Sequence, residues 1–215
     1  MLRRYAPLIG VAGPALFIAT LALLHALAPE TNDTGAISEY ALGDYGWLMN
    51  IAFIAAGIGF AALAVSLVGA LRQSRGARAG QALLLISALG WILLGAGNID
   101  REGADTSWHG VVHGIGFFLA TPAALAAMFV LARAFRRDPR WSAFGRLTLW
   151  AAAVALVAFL LAFMDVVEAV TFRLFVAVLL GWVMLASARL AGLWVFSPPE
   201  GELPRPLPGV PDRMP

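Results

Sequence analysis

The amino-acid sequence predicts an all-α, polytopic membrane protein in which six transmembrane helices form one bundle. Hydrophobic residues make up 60% of the chain and charged residues only 13%. A soluble domain needs a polar outer face on its helices, and this composition does not supply one. Six apolar runs are each long enough to cross a hydrocarbon core of about 30 Å, which takes about 20 helical residues. We place these spans at about residues 8–28, 47–71, 80–97, 110–132, 147–166 and 170–195.

Charged residues and proline bound the first two spans. The first span follows Arg3 and Arg4 and ends before Pro29. It is longer than the apolar core of a signal peptide, so we expect it to be retained in the mature protein. The second span follows Asp44, whose carboxylate is suited to cap the positive end of a helix. It ends before the arginines that begin at Arg72, and the two spans predict a helical hairpin.

A short polar segment separates the third and fourth spans. The third span ends at Asn98 and Asp100, which we interpret as solvated loop residues. The segment Asp105-Thr106-Ser107 precedes the fourth span and has the composition of a helix N-cap. These two spans predict the second hairpin.

The stretch 147–195 must contain two spans. It has no proline, but a single helix would be about 70 Å long at 1.5 Å per residue, which is far beyond a bilayer. The charged residues in its middle, Asp165, Glu168 and Arg173, therefore predict a tight turn. The segment 197–215 contains seven of the twelve prolines, and we expect it to be an extended, disordered cytoplasmic tail.

The distribution of charge predicts the orientation. The chain has no lysine, and 13 of its 15 arginines lie on the side where both termini emerge, whereas nine of the 13 carboxylates lie on the other side. The positive-inside rule then predicts that both termini lie in the cytoplasm. We expect the protein to lie in the inner membrane of the cell. Attraction to anionic lipid accounts for the basic loops. We therefore expect membrane lipids as partners and no nucleic acid. The absence of cysteine excludes disulfides, thiolate metal sites and cysteine nucleophiles.

All three histidines lie near span ends on the acidic side. His109 and His113 are one helical turn apart on one face, and His25, four residues before Pro29, lies at a similar depth. Three imidazoles at one depth could hold Zn²⁺. The spacing alone is weak evidence, because residues 110–112 read Gly-Val-Val and the zinc-protease motif is absent. Buried histidines hydrogen-bonded to carboxylates or to the backbone remain the alternative.

Ser38, Asp44 and Asp105 are the candidates for a catalytic role. Ser38 could act as a nucleophile with a histidine as its base, although no G-x-S-x-G elbow surrounds it. Asp44 or Asp105 could activate a zinc-bound water as a general base or support the metal ligands. Helix capping is the simpler interpretation of each carboxylate.

Asp165, Glu168 and Arg173 form a second candidate group, for ligand binding. We interpret them first as an ion-paired turn on the acidic side. Carboxylates near a membrane interface can also titrate at raised pH when they are desolvated. Proton transfer or acid–base chemistry at this turn is the functional alternative.

Two segments together resemble a known family. Residues 37–49 read Ile-Ser-Glu-Tyr-Ala-Leu-Gly-Asp-Tyr-Gly-Trp-Leu-Met, and residues 108–114 read Trp-His-Gly-Val-Val-His-Gly. With an arginine near the start of the last span, they resemble the bacterial membrane-protein family called domain of unknown function 998, over about residues 8–192. The resemblance implies a six-helix integral membrane protein without an established activity. A looser similarity to the alkaline ceramidase and adiponectin-receptor hydrolases concerns chemistry only, because those proteins have seven spans.

Three functions follow from these patterns. The first is lipid or partner binding, or regulation, at a polar His/Asp site on the extracytoplasmic rim, and this is the function we expect. The second is a zinc-dependent intramembrane hydrolase of a lipid or amide, with His25, His109 and His113 as metal ligands. The third is a small proton-coupled transporter, which the lack of a midplane charge in spans three to five disfavours.

Overall fold

The computed structural model describes residues 2–32, 36–164 and 167–193, which form six long helices and three short 3₁₀ turns. The helices are α1 (Leu2–Leu27), α2 (Gly46–Ala70), α3 (Arg75–Ala96), α4 (Trp108–Arg136), α5 (Ser142–Phe163) and α6 (Glu168–Leu190). The 3₁₀ turns are Pro29–Thr31, Ile37–Leu42 and Pro139–Trp141. All six helices are long and apolar enough to cross a membrane. The predicted all-α membrane fold is therefore confirmed.

The six helices form a closed bundle. Each helix packs against the next one in the chain, and α1 packs against α6. Short connections make neighbouring helices antiparallel, so the start of α1 and the end of α6 lie at the same face. We call this the arginine face and the opposite one, which carries the Ile37–Leu42 turn and residues 97–107, the histidine face.

Several helices extend beyond the predicted apolar runs, and in α3 a polar side chain caps the extended start. α3 begins at Arg75 rather than near residue 80, because the hydroxyl of Ser74 accepts a hydrogen bond from the N–H of Ala77 at 3.1 Å. Such an N-cap satisfies a backbone donor that the helix leaves free. α5 begins at Ser142, directly after the Pro139–Trp141 turn. The apolar run thus indicates the membrane-crossing part of a helix, and the helix itself can begin several residues before that run.

One predicted N-cap is confirmed in its segment and another is wrong. Within residues 105–107, Ser107 caps α4, because its Oγ accepts from the N–H of Gly110 at 3.1 Å. The N-cap position of α2 belongs to Tyr45, and no side chain there caps the helix. Asp44 is one residue too early in the chain for the predicted role.

Glycines allow α3 and α4 to cross at close range. A Cβ atom on Gly90 would overlap the backbone nitrogen of Ala120 and lie 2.6 Å from the carbonyl oxygen of Gly116. At the same crossing the hydroxyl of Ser87 donates a hydrogen bond to the carbonyl of Ala120 at 2.9 Å. Small residues matter in membranes because van der Waals contact replaces the hydrophobic effect as the force between helices. Gly90 and Gly116 therefore let the backbones of α3 and α4 approach closely.

At the arginine face, a buried carboxylate holds the turn between α4 and α5. Asp138 accepts hydrogen bonds from the backbone N–H and the guanidinium of Arg140, at 3.1 and 2.9 Å. The guanidinium of Arg189, from α6, lies over the ring of Trp141 at 4.8 Å and donates to the carbonyl of Arg140 at 2.5 Å. These contacts hold the turn that connects α4 to α5 and tie it to α6.

Candidate functional site

A cleft of about 440 Å³ lies between α4, α5 and α6 at the histidine face. It is formed by the ends of α4 and α5 that are farthest from the turn that connects them. Phenylalanine side chains from all three helices make much of its wall: Phe117, Phe159, Phe163 and Phe172. Phe163 is 66% exposed. This edge of the cleft is therefore open to the outside of the bundle.

Three polar side chains that the sequence singled out line this apolar cleft: Ser38, His113 and Glu168. Ser38 is buried in the Ile37–Leu42 turn, and His113 is buried in the second turn of α4. Glu168 is exposed in the first turn of α6. The cleft thus combines an apolar wall with two buried polar groups and one carboxylate at its mouth.

Hydrogen bonds to the backbone fix the tautomer of His113. Its Nδ1 lies 2.8 Å from the carbonyl oxygen of Gly97 and 3.2 Å from that of Leu94. A carbonyl only accepts, so Nδ1 must carry the proton. In the neutral ring Nε2 then has a free lone pair. His113 therefore presents a hydrogen-bond acceptor to the cavity that it lines.

A second cavity of about 30 Å³ lies behind the cleft, toward the centre of the bundle. The two cavities share Ser38, His113, Phe117 and Phe172 as lining residues. Trp91 also lines the inner cavity, and its Nε1 is buried without a hydrogen-bond partner among the described residues. A buried indole N–H normally finds a partner. Trp91, with an unused donor, and His113, with an acceptor, therefore both line the inner cavity.

Two glycines of the segment 108–114 shape this site in different ways. A Cβ atom on Gly110 would overlap the carboxylate of Asp100, so the glycine allows Asp100 to approach the first turn of α4. A Cβ atom on Gly114 would meet nothing within 4 Å. Gly114 lines the cleft, and its missing side chain leaves the cleft open.

Asp100 supports the start of α4 and is more than a loop residue. Its carboxylate accepts hydrogen bonds from the hydroxyl and the backbone N–H of Ser107, at 2.5 and 2.9 Å. These two hydrogen bonds, with that from the hydroxyl as the larger influence, hold the pKa of Asp100 below its ordinary value of 3.8. The carboxylate thereby positions the helix that carries His113.

Asp100→Asn is expected to lower the thermal stability of the protein at neutral pH. It should also make that stability less sensitive to a fall in pH. Because the folded-state pKa is lowered, the carboxylate stabilises the fold above 3.8, and this contribution is lost as pH falls through the folded-state pKa. Thermal unfolding in detergent at a series of pH values measures the effect. Asp105→Asn, which changes an exposed neighbour, is the control and should follow the wild type. If the Tm of Asp100→Asn and that of the wild type changed in parallel with pH, the stabilising role of the Asp100 carboxylate would be contradicted.

The three histidines proposed as metal ligands have three separate environments. Nδ1 of His25 lies 2.8 Å from the carbonyl oxygen of Leu21, and its ring packs against Tyr40. His109 is exposed and its ring packs against that of Trp108. Across residues 2–32, 36–164 and 167–193, no three His, Asp or Glu side chains are grouped so that they could hold a metal ion. His25, His109 and His113 are therefore not assembled into one zinc site.

The remaining candidates divide between the cleft and the surface. Ser38 lines the cleft, whereas Asp44 and Asp105 are exposed and do not line it. Arg173 donates hydrogen bonds to the carbonyls of Ala169 and Asn32, at 2.8 and 3.0 Å, and so ties α6 to the segment after α1. Asp165 lies outside the described residues. The structure thus brings together Ser38, His113 and Glu168.

Sequence reasoning missed the polar contacts that brace the histidine face and the indole at its inner cavity. The amide of Asn50 donates to the side-chain oxygen of Asn98 at 2.9 Å and joins α2 to the end of α3. The hydroxyl of Tyr40 donates to the side-chain oxygen of Asn32 at 2.5 Å. Asn50 was detectable, because an asparagine within an apolar span needs a partner. Trp91 gave no comparable signal among many apolar residues.

One protein-family model matches residues 11–189, and its description is "Protein of unknown function (DUF998)". The match extends from the third turn of α1 to the last turn of α6, so it includes all the residues that line the cleft. No curated protein and no solved structure matches the chain. The sequence resemblance is confirmed, and the chain belongs to this family of unknown function, DUF998, as a member with six helices able to cross a membrane.

Proposed function

We propose that this protein binds a lipid whose apolar chain occupies the cleft between α4, α5 and α6. The observation that carries the proposal is the cleft itself, with its aromatic wall and two buried polar groups. Ligand sites typically have volumes of about 300–1,000 Å³, apolar walls and a few placed polar groups. The cavity of about 440 Å³ meets all three criteria.

The position of the cleft favours a ligand that arrives from the bilayer. Its outer edge is formed by Phe163 on α5, at a side surface that carries many other exposed apolar residues. An acyl chain can move from the bilayer into such a cleft without crossing water. Lipid binding therefore fits the site better than recognition of a soluble molecule.

Binding is better supported than the two other functions. A zinc hydrolase would require His25, His109 and His113 around one metal, and their separate contacts give no support for this. Transporters that alternate their access hold their substrate near the bilayer midplane. The polar groups of this cleft lie toward one end of the bundle, which favours a ligand held in one leaflet.

We also propose an inner-membrane location with both termini in the cytoplasm, so that the cleft serves the outer leaflet. The support is the concentration of arginine on the face that carries the termini. The chain has no cysteine, so single cysteines can be introduced at exposed Arg137 and Asp105. A membrane-impermeant thiol reagent added to intact cells should label the second and spare the first. Labelling of Arg137→Cys alone would show that the protein has the opposite orientation in the membrane.

Photocrosslinking in lipid nanodiscs tests the proposed function. The probes are a long-chain alcohol and a long-chain fatty acid, each with a diazirine in the chain. At least one probe is expected to label cleft residues such as Phe117, Phe159 and Phe172, and excess unlabelled probe should suppress this labelling. Exposed Ile58 and Leu89 should be labelled without saturation, as ordinary bilayer contacts. Unsaturable labelling at every position, the cleft included, would refute lipid binding there.

A further inference from the structure

We infer that the cleft selects a single-chain lipid with a neutral hydroxyl headgroup, held between Ser38, His113 and Trp91 where the cleft meets the inner cavity. The inference rests on the proposed function and names the class of lipid. It also assigns a role to Trp91, which lines the inner cavity from α3.

The headgroup must provide most of the selectivity. An apolar chain gains little free energy on moving from lipid into the cleft, because the two surroundings are similarly apolar. The polar groups, in contrast, have no equivalent in the hydrocarbon part of a bilayer. A ligand that pairs with them is therefore preferred over the many other chains in the membrane.

The polar groups require both a donor and an acceptor from the ligand. Nε2 of His113 has a free lone pair, because Nδ1 donates to the carbonyls of Gly97 and Leu94. Nε1 of Trp91 is a donor without a described partner. The hydroxyl of Ser38 lines both cavities, and it can serve as donor or acceptor. The three side chains are each at least nine-tenths buried, with 9%, 6% and 4% exposure for Ser38, His113 and Trp91.

A hydroxyl group matches this set. It provides one O–H for Nε2 of His113 and two lone pairs for Trp91 and Ser38. A carboxylate has no proton to give to His113, and an ammonium group has no lone pair for Trp91. Either charged group would also lose its hydration in the inner cavity, whose lining residues include no Asp, Glu or Arg, and this loss is costly without a charged partner. Among these headgroups, the neutral alcohol is the one that can pair with all three side chains.

The size of the inner cavity supports the same ligand. Its volume of about 30 Å³ is enough for one or two water-sized groups. A phosphate-bearing headgroup is much larger. It would have to remain at the mouth, where Glu168 carries a carboxylate that repels an anion.

Competition with the photoreactive alcohol tests this inference. The competitors are unlabelled alcohol, fatty acid, primary amine and methyl ether of equal chain length, in nanodiscs of zwitterionic lipid. The alcohol is expected to suppress labelling of the cleft about tenfold more effectively than the methyl ether, which lacks the donated hydrogen. The acid and the amine should compete no better than the ether.

Two variants assign the preference to particular side chains. Trp91→Phe keeps an aromatic side chain but removes the indole N–H together with part of the ring system, so it should weaken binding of the alcohol about tenfold. Thermal unfolding checks that the smaller side chain leaves the protein folded. His113→Leu should remove the preference for alcohol over ether. His109→Leu, one turn away and exposed, is the matched control and should retain it. If His113 had only a structural role, its replacement would weaken the binding of all competitors equally.

The outcomes separate the two proposals. Saturable cleft labelling with equal competition by alcohol, acid, amine and ether would overturn the hydroxyl selectivity and leave lipid binding in place. A preference for the acid or the amine would also overturn it, since the charged group would then be the one recognised. Absence of saturable labelling with both probes would overturn both proposals.

Discussion

Replacing Gly90 with alanine is expected to lower the free energy of unfolding by about 3 kcal/mol or more, at the upper end of the usual cost of overpacking. The added Cβ would overlap the backbone nitrogen of Ala120 and approach the carbonyl oxygen of Gly116 to 2.6 Å. Backbone atoms within a helix cannot rotate away as a side chain can. α3 and α4 would have to separate, which would also strain the hydrogen bond from Ser87 to Ala120.

Thermal unfolding in a mild detergent measures this effect. A loss of about 3 kcal/mol in a chain of this size corresponds to a fall in Tm of about 6–12 °C. Gly181→Ala is the matched control, because a Cβ atom on Gly181 would meet nothing within 4 Å. An unchanged Tm for Gly90→Ala would show that the two helices do not cross at this glycine.

Replacing Gly114 with leucine is expected to weaken lipid binding about ten- to a hundredfold while the protein remains folded. A Cβ atom at this position meets nothing within 4 Å, and the residue lines the cleft. The leucine side chain would therefore occupy space that the lipid chain needs. Because no protein atom is displaced by the first carbon of the side chain, stability should change much less than binding.

Displacement of a photoreactive alcohol in nanodiscs gives the affinity of this variant. Gly181→Leu introduces the same side chain at another open position, on α6 and away from the cleft, and should bind as the wild type does. Equal affinity for Gly114→Leu and the wild type would place the ligand elsewhere. Equal losses in the two leucine variants would indicate a general effect on the bundle.

The fold could be predicted because each membrane-crossing helix leaves its mark in a continuous stretch of sequence. A run of about 20 apolar residues is required by the thickness of the bilayer, whatever the neighbouring helices do. Helix ends were less predictable, since they depend on single side chains. Ser107 and Asp100 together support the start of α4, and nothing in the local sequence distinguished this pair from Asp105.

The candidate site was predictable in part. His113 and Glu168 stood out as polar residues near span ends, and Ser38 stood out as a candidate nucleophile between the first two spans. All three line the cleft. The histidine spacing could not show that His109 lies outward against Trp108, because a one-turn spacing does not fix which neighbours each ring meets. The aromatic wall of the cleft could not be predicted, because the sequence does not show whether a phenylalanine in an apolar span faces lipid, the core or a cavity. Only the packing of α4, α5 and α6 decides this.

An electron cryomicroscopy map of the wild-type protein in nanodiscs tests lipid binding in the cleft most directly. The sample would contain the long-chain alcohol, with a bound antibody fragment to add mass to this chain of 22.7 kDa. We expect an elongated density between Phe117, Phe159 and Phe172 that ends beside Ser38 and His113. A cleft closed by its own side chains, in a map that resolves bilayer lipid elsewhere around the bundle, would contradict lipid binding at this site.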